Sequence, residues 1–122
     1  PERLPLKIPR LDPLSMSALH FEKIDPQRYP CLPLAIKVAK QGGAAPAVLN
    51  GANETVVTAF LKEEIHFVEI AETIAAVIKD FEKVLHQVDV PSFLRKISTL
   101  EDAEHADKWG RKQASKILES II

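Results

Sequence analysis

Two carboxylate–histidine pairs have the spacing of metal ligands on one face of a helix. Glu63 stands three residues before His66, and Asp102 stands three residues before His105. A di-metal helical bundle needs such pairs on two helices and further glutamates from two others. The first pair falls at a predicted helix end and the second in a polar first helical turn. We therefore predict solvated helix ends rather than metal ligands.

Gly42-Gly43 and Cys31 each allow a second chemical interpretation. Adjacent glycines can form a phosphate-binding loop, but neither the dinucleotide glycine pattern nor the Lys-Ser/Thr of a P-loop surrounds them. A helix C-terminus, where glycine accepts the left-handed conformation, is the favoured interpretation. Cys31 lies between two prolines, and the sequence offers it no obvious histidine or asparagine partner. We predict a buried small apolar residue there, not a nucleophile.

A ladder of lysines at four-residue spacing lies near the end of the sequence. Its members are Lys108, Lys112 and Lys116. A nucleic-acid-binding stripe belongs on a basic chain, whereas the formal net charge here is −1, from 16 basic and 17 acidic residues. We predict a solvated face that complements a helix C-terminus, and we expect no nucleic acid as a partner.

Small residues and two asparagines interrupt an otherwise apolar helical stretch over residues 46–54. Asn50, Asn53 and Glu54 stand at three- and four-residue spacing, so they occupy overlapping helix faces. The small residues would let another backbone approach, and the amides could bind that backbone. Because asparagine is a poor helix former, the stretch calls for an explanation. A helix–arm or helix–helix packing motif is the favoured one, and a ligand site is the alternative.

The region before these residues is rich in proline and apolar. Seven of the nine prolines lie at or before residue 33, and proline both fixes φ and removes a backbone donor. We therefore predict an extended arm over residues 1–32. A flexible linker would be Gly/Ser-rich or charged, so we expect this arm to lie along a partner surface; a disordered tail is the alternative. Its apolar residues are Leu4, Leu6, Ile8, Leu11, Leu14, Met16, Leu19, Phe21 and Ile24.

The apolar spacing becomes helical after the arm. The predicted helices span residues 33–41, 45–63, 68–85 and 98–121. The last begins with a capping box, Ser98-Thr99-Leu100-Glu101. Short links between helices predict an all-α fold, a small four-helix bundle-like domain over residues 33–122. Its predicted core contains Leu49, Phe60, Ile74, Phe81, Trp109 and Leu118.

The composition limits the class of protein. The chain has 122 residues, of which 46% are hydrophobic and 27% charged, and this suits about one domain. One cysteine excludes an intrachain disulfide framework and suits a reducing compartment. No apolar run approaches the roughly 18 residues of a membrane span, so we expect no membrane partner. The sequence starts with proline rather than methionine, and we expect a piece of a longer chain.

Several sequence blocks occur in an order that is typical of one enzyme family. An apolar strap over residues 14–21 comes first, followed by Arg28-Tyr29-Pro30-Cys31-Leu32. A glycine-rich helix end precedes Ala-Pro-Ala-Val-Leu-Asn-Gly-Ala-Asn-Glu over residues 45–54, and a further block covers residues 59–67. Together they resemble the carboxy-terminal region of the 1-deoxy-D-xylulose 5-phosphate reductoisomerase family. The resemblance spans roughly residues 11–78, with minor departures such as Gly51, where the family commonly has alanine.

The resemblance implies a parent enzyme of non-mevalonate isoprenoid biosynthesis. Such an enzyme rearranges and reduces 1-deoxy-D-xylulose 5-phosphate to 2-C-methyl-D-erythritol 4-phosphate, with NADPH and Mg²⁺ or Mn²⁺. The parent would be a homodimer in the bacterial cytoplasm, or in a plastid if the source is a photosynthetic eukaryote. The chain itself would be the connecting strap and the C-terminal helical domain, which packs against and supports the catalytic domain. No catalytic, cofactor-binding or metal residue of the family matches a position here, so the isolated chain is expected to be inactive.

Two other classes of protein compete with this interpretation. One is a stand-alone helical protein-interaction module whose arm docks on a partner, and the other is a small di-metal bundle enzyme. A glycine-rich dinucleotide fingerprint upstream of this sequence would favour the reductoisomerase, while stoichiometric bound metal would favour the di-metal enzyme. Separated from a catalytic domain, the chain is expected to self-associate through residues 1–32, because exposed apolar surface of this kind favours association.

Overall fold

The computed structural model describes residues 7–16 and 18–121, so Leu4 and Leu6 of the predicted arm lie outside the described residues. The described chain is all-helical, as predicted, and its five α-helices are accompanied by a single 3₁₀ turn at Pro13–Ser15. The helices are α1 (Cys31–Gln41), α2 (Ala45–Leu61), α3 (Phe67–Leu85), α4 (Ser92–Arg95) and α5 (Leu100–Leu118). The one-turn helix α4 is absent from the prediction.

Helix α1 begins two residues earlier than predicted, inside the segment assigned to the arm. Pro30 occupies the N-cap position and Pro33 the third helical position. The first N–H groups of a helix have no acceptor within the helix, so prolines there lose no hydrogen bond. The helix ends as predicted, because Gly42 adopts a φ of 67° and its N–H donates to the Val38 carbonyl at 3.0 Å.

The start of α5 lies one residue later than the predicted capping box. Thr99, rather than Ser98, is the N-cap, and its hydroxyl accepts the Asp102 N–H at 3.1 Å. The Asp102 carboxylate in turn accepts the N–H groups of Ser98 at 2.9 Å and Thr99 at 3.0 Å. One carboxylate therefore satisfies two backbone donors in this register, which explains why the Ser98–Glu101 box is wrong.

The core forms around α2, which packs mainly against α5 and next against α3. Three members of the predicted core, Ile74, Phe81 and Leu118, are buried. The other three are only partly buried and pack against the core from its edge: Leu49, Phe60 and Trp109. Leu94 of α4 is 1% exposed, so the short helix, which packs against α5, inserts an apolar side chain into the core.

The described part of the arm has little regular structure. Asp12 caps the 3₁₀ turn by accepting the Leu14 N–H at 3.0 Å. A second turn follows Asp25, whose carboxylate accepts the Gln27 N–H at 2.8 Å. Every described residue between 7 and 30 is exposed. The large apolar side chains among them retain 40–95% of their accessible surface: Ile8, Leu11, Leu14, Met16, Leu19, Phe21 and Ile24.

Candidate functional site

Four polar side chains join α2 to α5 and form what we term the α2–α5 cluster: Asn50, Glu54, Asp107 and Arg111. The Asn50 amide donates to Asp107 Oδ1 at 3.1 Å and to Glu54 Oε1 at 3.3 Å. Arg111 donates through Nε to Asp107 Oδ2 at 2.6 Å, and its Nη2 pairs with Glu54. Each helix therefore contributes two members at i,i+4 spacing, and the ring of contacts closes across the helix interface.

Two glycines lie beneath this cluster and set the distance between the helices. A Cβ atom on Gly51 would come within 2.1 Å of the Asp107 carbonyl oxygen, and one on Gly110 within 2.2 Å of the Val48 carbonyl oxygen. Each helix thus places a glycine against the backbone of the other. The predicted helix–helix packing motif is present, although the Asn50 amide binds side chains and not the neighbouring backbone.

The electrostatics of the cluster favour its ionised form. Hydrogen bonding to Arg111 is the main cause that lowers the pKa of Glu54. Burial acts to raise the pKa of Asp107, but the hydrogen bonds and charge of Arg111 outweigh it and the pKa is lowered. Carboxylates paired in this way do not exchange protons near neutral pH, so the cluster is suited to holding two helices together rather than to acid–base chemistry.

The two carboxylate–histidine pairs lie at helix termini. Glu63 follows α2 with a φ of 62°, and His66 is the N-cap of α3, with its N–H donating to the Glu69 carboxylate at 2.6 Å. Asp102 caps α5, and the His105 ring lies against a phenylalanine. Within residues 7–16 and 18–121, no three His, Cys, Asp or Glu side chains form a group that could hold a metal ion.

The predicted lysine ladder lies on the exposed face of α5. Lys108, Lys112 and Lys116 are all exposed, and Lys108 pairs with Glu104 at 3.8 Å. This arrangement matches a solvated helix face, as the net charge predicts.

An apolar groove lies where the end of the arm meets α3, and we term it the α1–α3 groove. Its volume is about 710 Å³, and its lining includes Tyr29, Leu32, Phe67, Val68 and Ala71. Phe67 and Val68 remain 73% and 66% exposed. These residues of α3 flank the stripe that faces the core, so they give the helix a second apolar surface. The signal in the sequence is the pair of apolar residues Phe67 and Val68, which stand outside the core-facing spacing of α3.

Cys31 lies in the lining of this groove and is exposed, so the prediction of a buried cysteine is wrong. It is the first residue of α1, and the only buried residue of that helix is Val38, two turns further on. The beginning of α1 therefore projects beyond the core and leaves Cys31 in the open groove.

The helices can also be judged by their length and apolar character. No described helix combines the length and the apolar character needed to cross a membrane.

Comparison with protein families shows one family that covers most of the chain. A model described as "DXP reductoisomerase C-terminal domain" matches residues 1–113. The 1-deoxy-D-xylulose 5-phosphate reductoisomerase 1 of Bacillus thuringiensis subsp. konkukian is 40% identical over 118 residues, which are 97% of this chain and 28% of the relative. The reductoisomerase of Chlorobium phaeobacteroides is 39% identical over 119 residues, 98% of this chain and 28% of the relative.

Solved structures give the same result at the level of the fold. The reductoisomerase from Zymomonas mobilis in complex with NADPH superposes with a TM-score of 0.71 at 37% identity, covering 97% of this chain and 28% of that one. A DOX-P reductoisomerase in complex with magnesium gives a TM-score of 0.77 at 31% identity, covering 98% of this chain and 30% of that one. The chain thus spans less than a third of the length of these relatives.

Proposed function

This chain belongs to the DXP reductoisomerase C-terminal domain family, and on that basis we propose that it is the non-catalytic helical domain of a 1-deoxy-D-xylulose 5-phosphate reductoisomerase. The match of the family model to residues 1–113 carries the proposal. The parent enzyme would convert 1-deoxy-D-xylulose 5-phosphate to 2-C-methyl-D-erythritol 4-phosphate in isoprenoid biosynthesis. It would act in the bacterial cytoplasm, or in a plastid if the source is a photosynthetic eukaryote.

NADPH and the divalent cation, Mg²⁺ or Mn²⁺, are assigned in this proposal to the part of the enzyme that precedes the C-terminal domain. The solved relatives are complexes with NADPH and with magnesium. The described residues of the chain do not fit a metal site, because they contain no suitable group of three ligands. In this proposal the chain carries no catalytic, cofactor-binding or metal residue.

The role proposed for the chain is mechanical support of the catalytic domain of the same polypeptide. The α2–α5 cluster holds helices α2 and α5 in one arrangement, and so does the glycine crossing, by which we mean Gly51 and Gly110 where each meets the backbone of the other helix. The arm presents exposed apolar side chains suited to lying along another surface. Catalytic groups have to be held in position by a supporting layer of residues, and in this proposal the helical domain supplies part of that layer. The parent enzyme is proposed to be a homodimer.

A chimeric enzyme tests this role. In it, the matched segment of the Bacillus thuringiensis reductoisomerase, 28% of that protein, is replaced by this chain. The assay is NADPH oxidation that depends on 1-deoxy-D-xylulose 5-phosphate and Mn²⁺. We expect the chimera to be active and the same enzyme without a C-terminal domain to lose most of its rate. A chimera that melts cooperatively but is no faster than the truncated enzyme would contradict the proposal.

The isolated chain provides the complementary test of the non-catalytic assignment. We expect the purified chain, with Mn²⁺ and substrate, to oxidise NADPH no faster than the buffer does. Substrate-dependent oxidation by the chain alone would mean that it carries catalytic residues of its own.

The exposed apolar arm favours a second candidate function, a stand-alone helical interaction module. For the isolated chain we propose self-association through residues 1–32. Sedimentation of the chain beside a version that begins at Asp25, which keeps the turn before α1, tests this. The full chain should associate and the shortened one should not. Equal masses would mean that the arm does not drive assembly.

A further inference from the structure

The α1–α3 groove differs in polarity from the exposed face of α5. Among the described residues that line the groove, only Arg28 and Glu72 are charged. The α5 face carries the lysine ladder together with the exposed Glu101 and Glu104. Burial of a charge without a partner costs free energy, so the centre of a protein interface is depleted of charged residues. Of these two surfaces, the groove is therefore the one suited to being covered.

Two aromatic side chains stand at the groove and are held in place by neighbours. Tyr29 at the end of the arm is 53% exposed, and Phe67 at the start of α3 is 73% exposed. The Arg28 guanidinium lies 5.7 Å from the centre of the Tyr29 ring. The Phe60 ring meets Phe67 edge-to-face at 5.7 Å. Aromatic and arginine side chains dominate the binding energy of interfaces, and side chains already held in place lose less entropy on binding.

The length of the relatives indicates which partner covers the groove. The chain corresponds to 28% of the reductoisomerases that it matches, so most of a parent enzyme lies outside it. In the proposed function that remainder belongs to the same polypeptide, and a covalently linked partner is present at a high effective concentration. Contacts between domains of one chain accordingly need only about 600–1,500 Å² of buried surface.

The arm connects the groove directly to that partner. In the proposed function the arm lies along the catalytic domain of the same polypeptide. Tyr29 closes the turn at the end of the arm, because its N–H donates to the Asp25 carbonyl at 3.0 Å. The next residue, Pro30, is the N-cap of α1. Since turn, cap and groove lining follow one another without a linker, a surface that covers the arm is within reach of the groove.

We propose that the α1–α3 groove is the site at which this domain docks on the preceding part of the same polypeptide, with an apolar segment of that part against Tyr29 and Phe67. This assignment rests on the proposed function and adds to it the face of the domain that makes the contact. Cys31, which lies in the groove lining, is then accessible in the chain alone and covered in the enzyme. The lysine ladder of α5 stays in water.

The reactivity of Cys31 tests the docking site directly. N-ethylmaleimide is reacted with the isolated chain, at a concentration where it sediments as a monomer, and with the chimeric reductoisomerase described above. The tryptic peptide of residues 29–37, which contains Cys31, reports the rate by mass spectrometry. We expect Cys31 to react at least about tenfold more slowly in the chimera, because a docked domain exposes the thiol only in a minor open population. Unfolding in urea should make the two rates equal. Equal rates in the folded proteins would overturn the proposal.

A pair of variants assigns the protection to this face. Val68→Glu places a carboxylate in the groove at the start of α3, where a negative charge does not destabilise the helix. In the chimera it should raise the Cys31 rate at least about fivefold, relative to the same variant as an isolated chain, because docking would bury an unpaired charge. Val88→Glu is the matched control, since Val88 is 91% exposed and outside the groove, and it should change nothing.

The variants and the isolated chain also provide the opposite outcomes. Both variants should melt like the parent as isolated chains, since both positions are exposed. A chimera whose Cys31 stays protected in Val68→Glu would refute the assigned face. Protection of the isolated chain that rises with its concentration to the level of the chimera would assign the groove to a second copy and would likewise overturn the proposal.

Failure of the docking site and failure of the proposed function give different results. An active chimera in which Cys31 reacts as fast as in the isolated chain would remove only the docking site. A protected Cys31 in a chimera that is no faster than the truncated enzyme would remove only the supporting role in catalysis.

Discussion

Replacement of Phe81 by alanine probes the core at its most buried aromatic side chain. Phe81 is 1% exposed on α3, and its ring meets Trp109 of α5 edge-to-face, with centroids 6.0 Å apart. The substitution removes the ring from contact with Trp109 and leaves a cavity in the core, because surrounding side chains relax only in part.

The expected loss of stability follows from the removed ring contacts and the cavity. Truncation of a buried phenylalanine costs about 3–5 kcal/mol in transfer and cavity terms. Since 1 kcal/mol shifts the Tm of a domain of 60–100 residues by about 4–8 °C, Phe81→Ala should melt at least about 12 °C below the parent. Marginal stability of about 5–15 kcal/mol makes this a large part of the total.

Phe67→Ala is the matched control on the same helix. Phe67 also meets an aromatic ring edge-to-face, that of Phe60 at 5.7 Å, but it is 73% exposed. Its truncation should cost less than about 1 kcal/mol. Far-UV circular dichroism reports the melting of both variants, at low concentration so that association does not contribute. Fluorescence of Trp109, the only tryptophan, reports the loss of its neighbour.

Two results for Phe81→Ala and Phe67→Ala would contradict this description of the core. If Phe81→Ala melts within about 2 °C of the parent, or if Phe67→Ala costs as much as Phe81→Ala, the inward face of α3 is assigned wrongly. An unchanged Trp109 emission maximum in Phe81→Ala would separately contradict the contact between the two rings.

Three further substitutions test other features. Gly110→Ala should lower the free energy of unfolding in urea by about 1–3 kcal/mol, because its Cβ would lie 2.2 Å from the Val48 carbonyl oxygen; an increase in stability would show that helix propensity outweighs the clash. Thr73→Val should be neutral or stabilising, since the Thr73 hydroxyl is buried without a hydrogen-bond partner among the described residues, and a loss in Tm would mean that the hydroxyl is bonded. The backbone hydrogen bond from Ser98 lowers the pKa of Asp102, so Asp102 stabilises the fold above the ordinary aspartate pKa of about 3.9 and this contribution is lost as pH falls through the lower folded-state value. The Tm difference between the parent and Asp102→Asn should accordingly be present at pH 6 and shrink as the pH falls below the ordinary aspartate pKa of about 3.9; a constant difference across that range would contradict this assignment.

The long helices could be predicted from the sequence because their signals are local. Apolar residues at three- and four-residue spacing identify α2 and α3, and Gly42-Gly43 marks the end of α1. Helix α4 has four residues, too few to show any period, so it could not be found in this way. It exists because Leu94 reaches the core, and that contact depends on the tertiary fold.

The candidate site could likewise be predicted only in part. The spacing of Asn50 and Glu54 is visible in the sequence, as is that of Asp107 and Arg111. The contact between these two pairs is not visible in the sequence, because Asn50 and Asp107 are 57 residues apart. The family resemblance predicted the kind of domain correctly. The open groove and the exposure of Cys31 follow from where α1 starts. The sequence did not indicate that start, because Pro30 and Pro33 favour a later beginning of the helix.

The glycine crossing has a consequence for how this domain tolerates sequence change. Gly51 and Gly110 both limit the same quantity, the separation of α2 and α5. A methyl group at either position forces the axes apart, and the wider spacing then accommodates a methyl group at the other. The two substitutions are therefore epistatic, and the double variant should cost less than the sum of the single ones. Alanine at one position should therefore lower the free-energy cost of alanine at the other, so the identity of one residue determines which residues the other position tolerates.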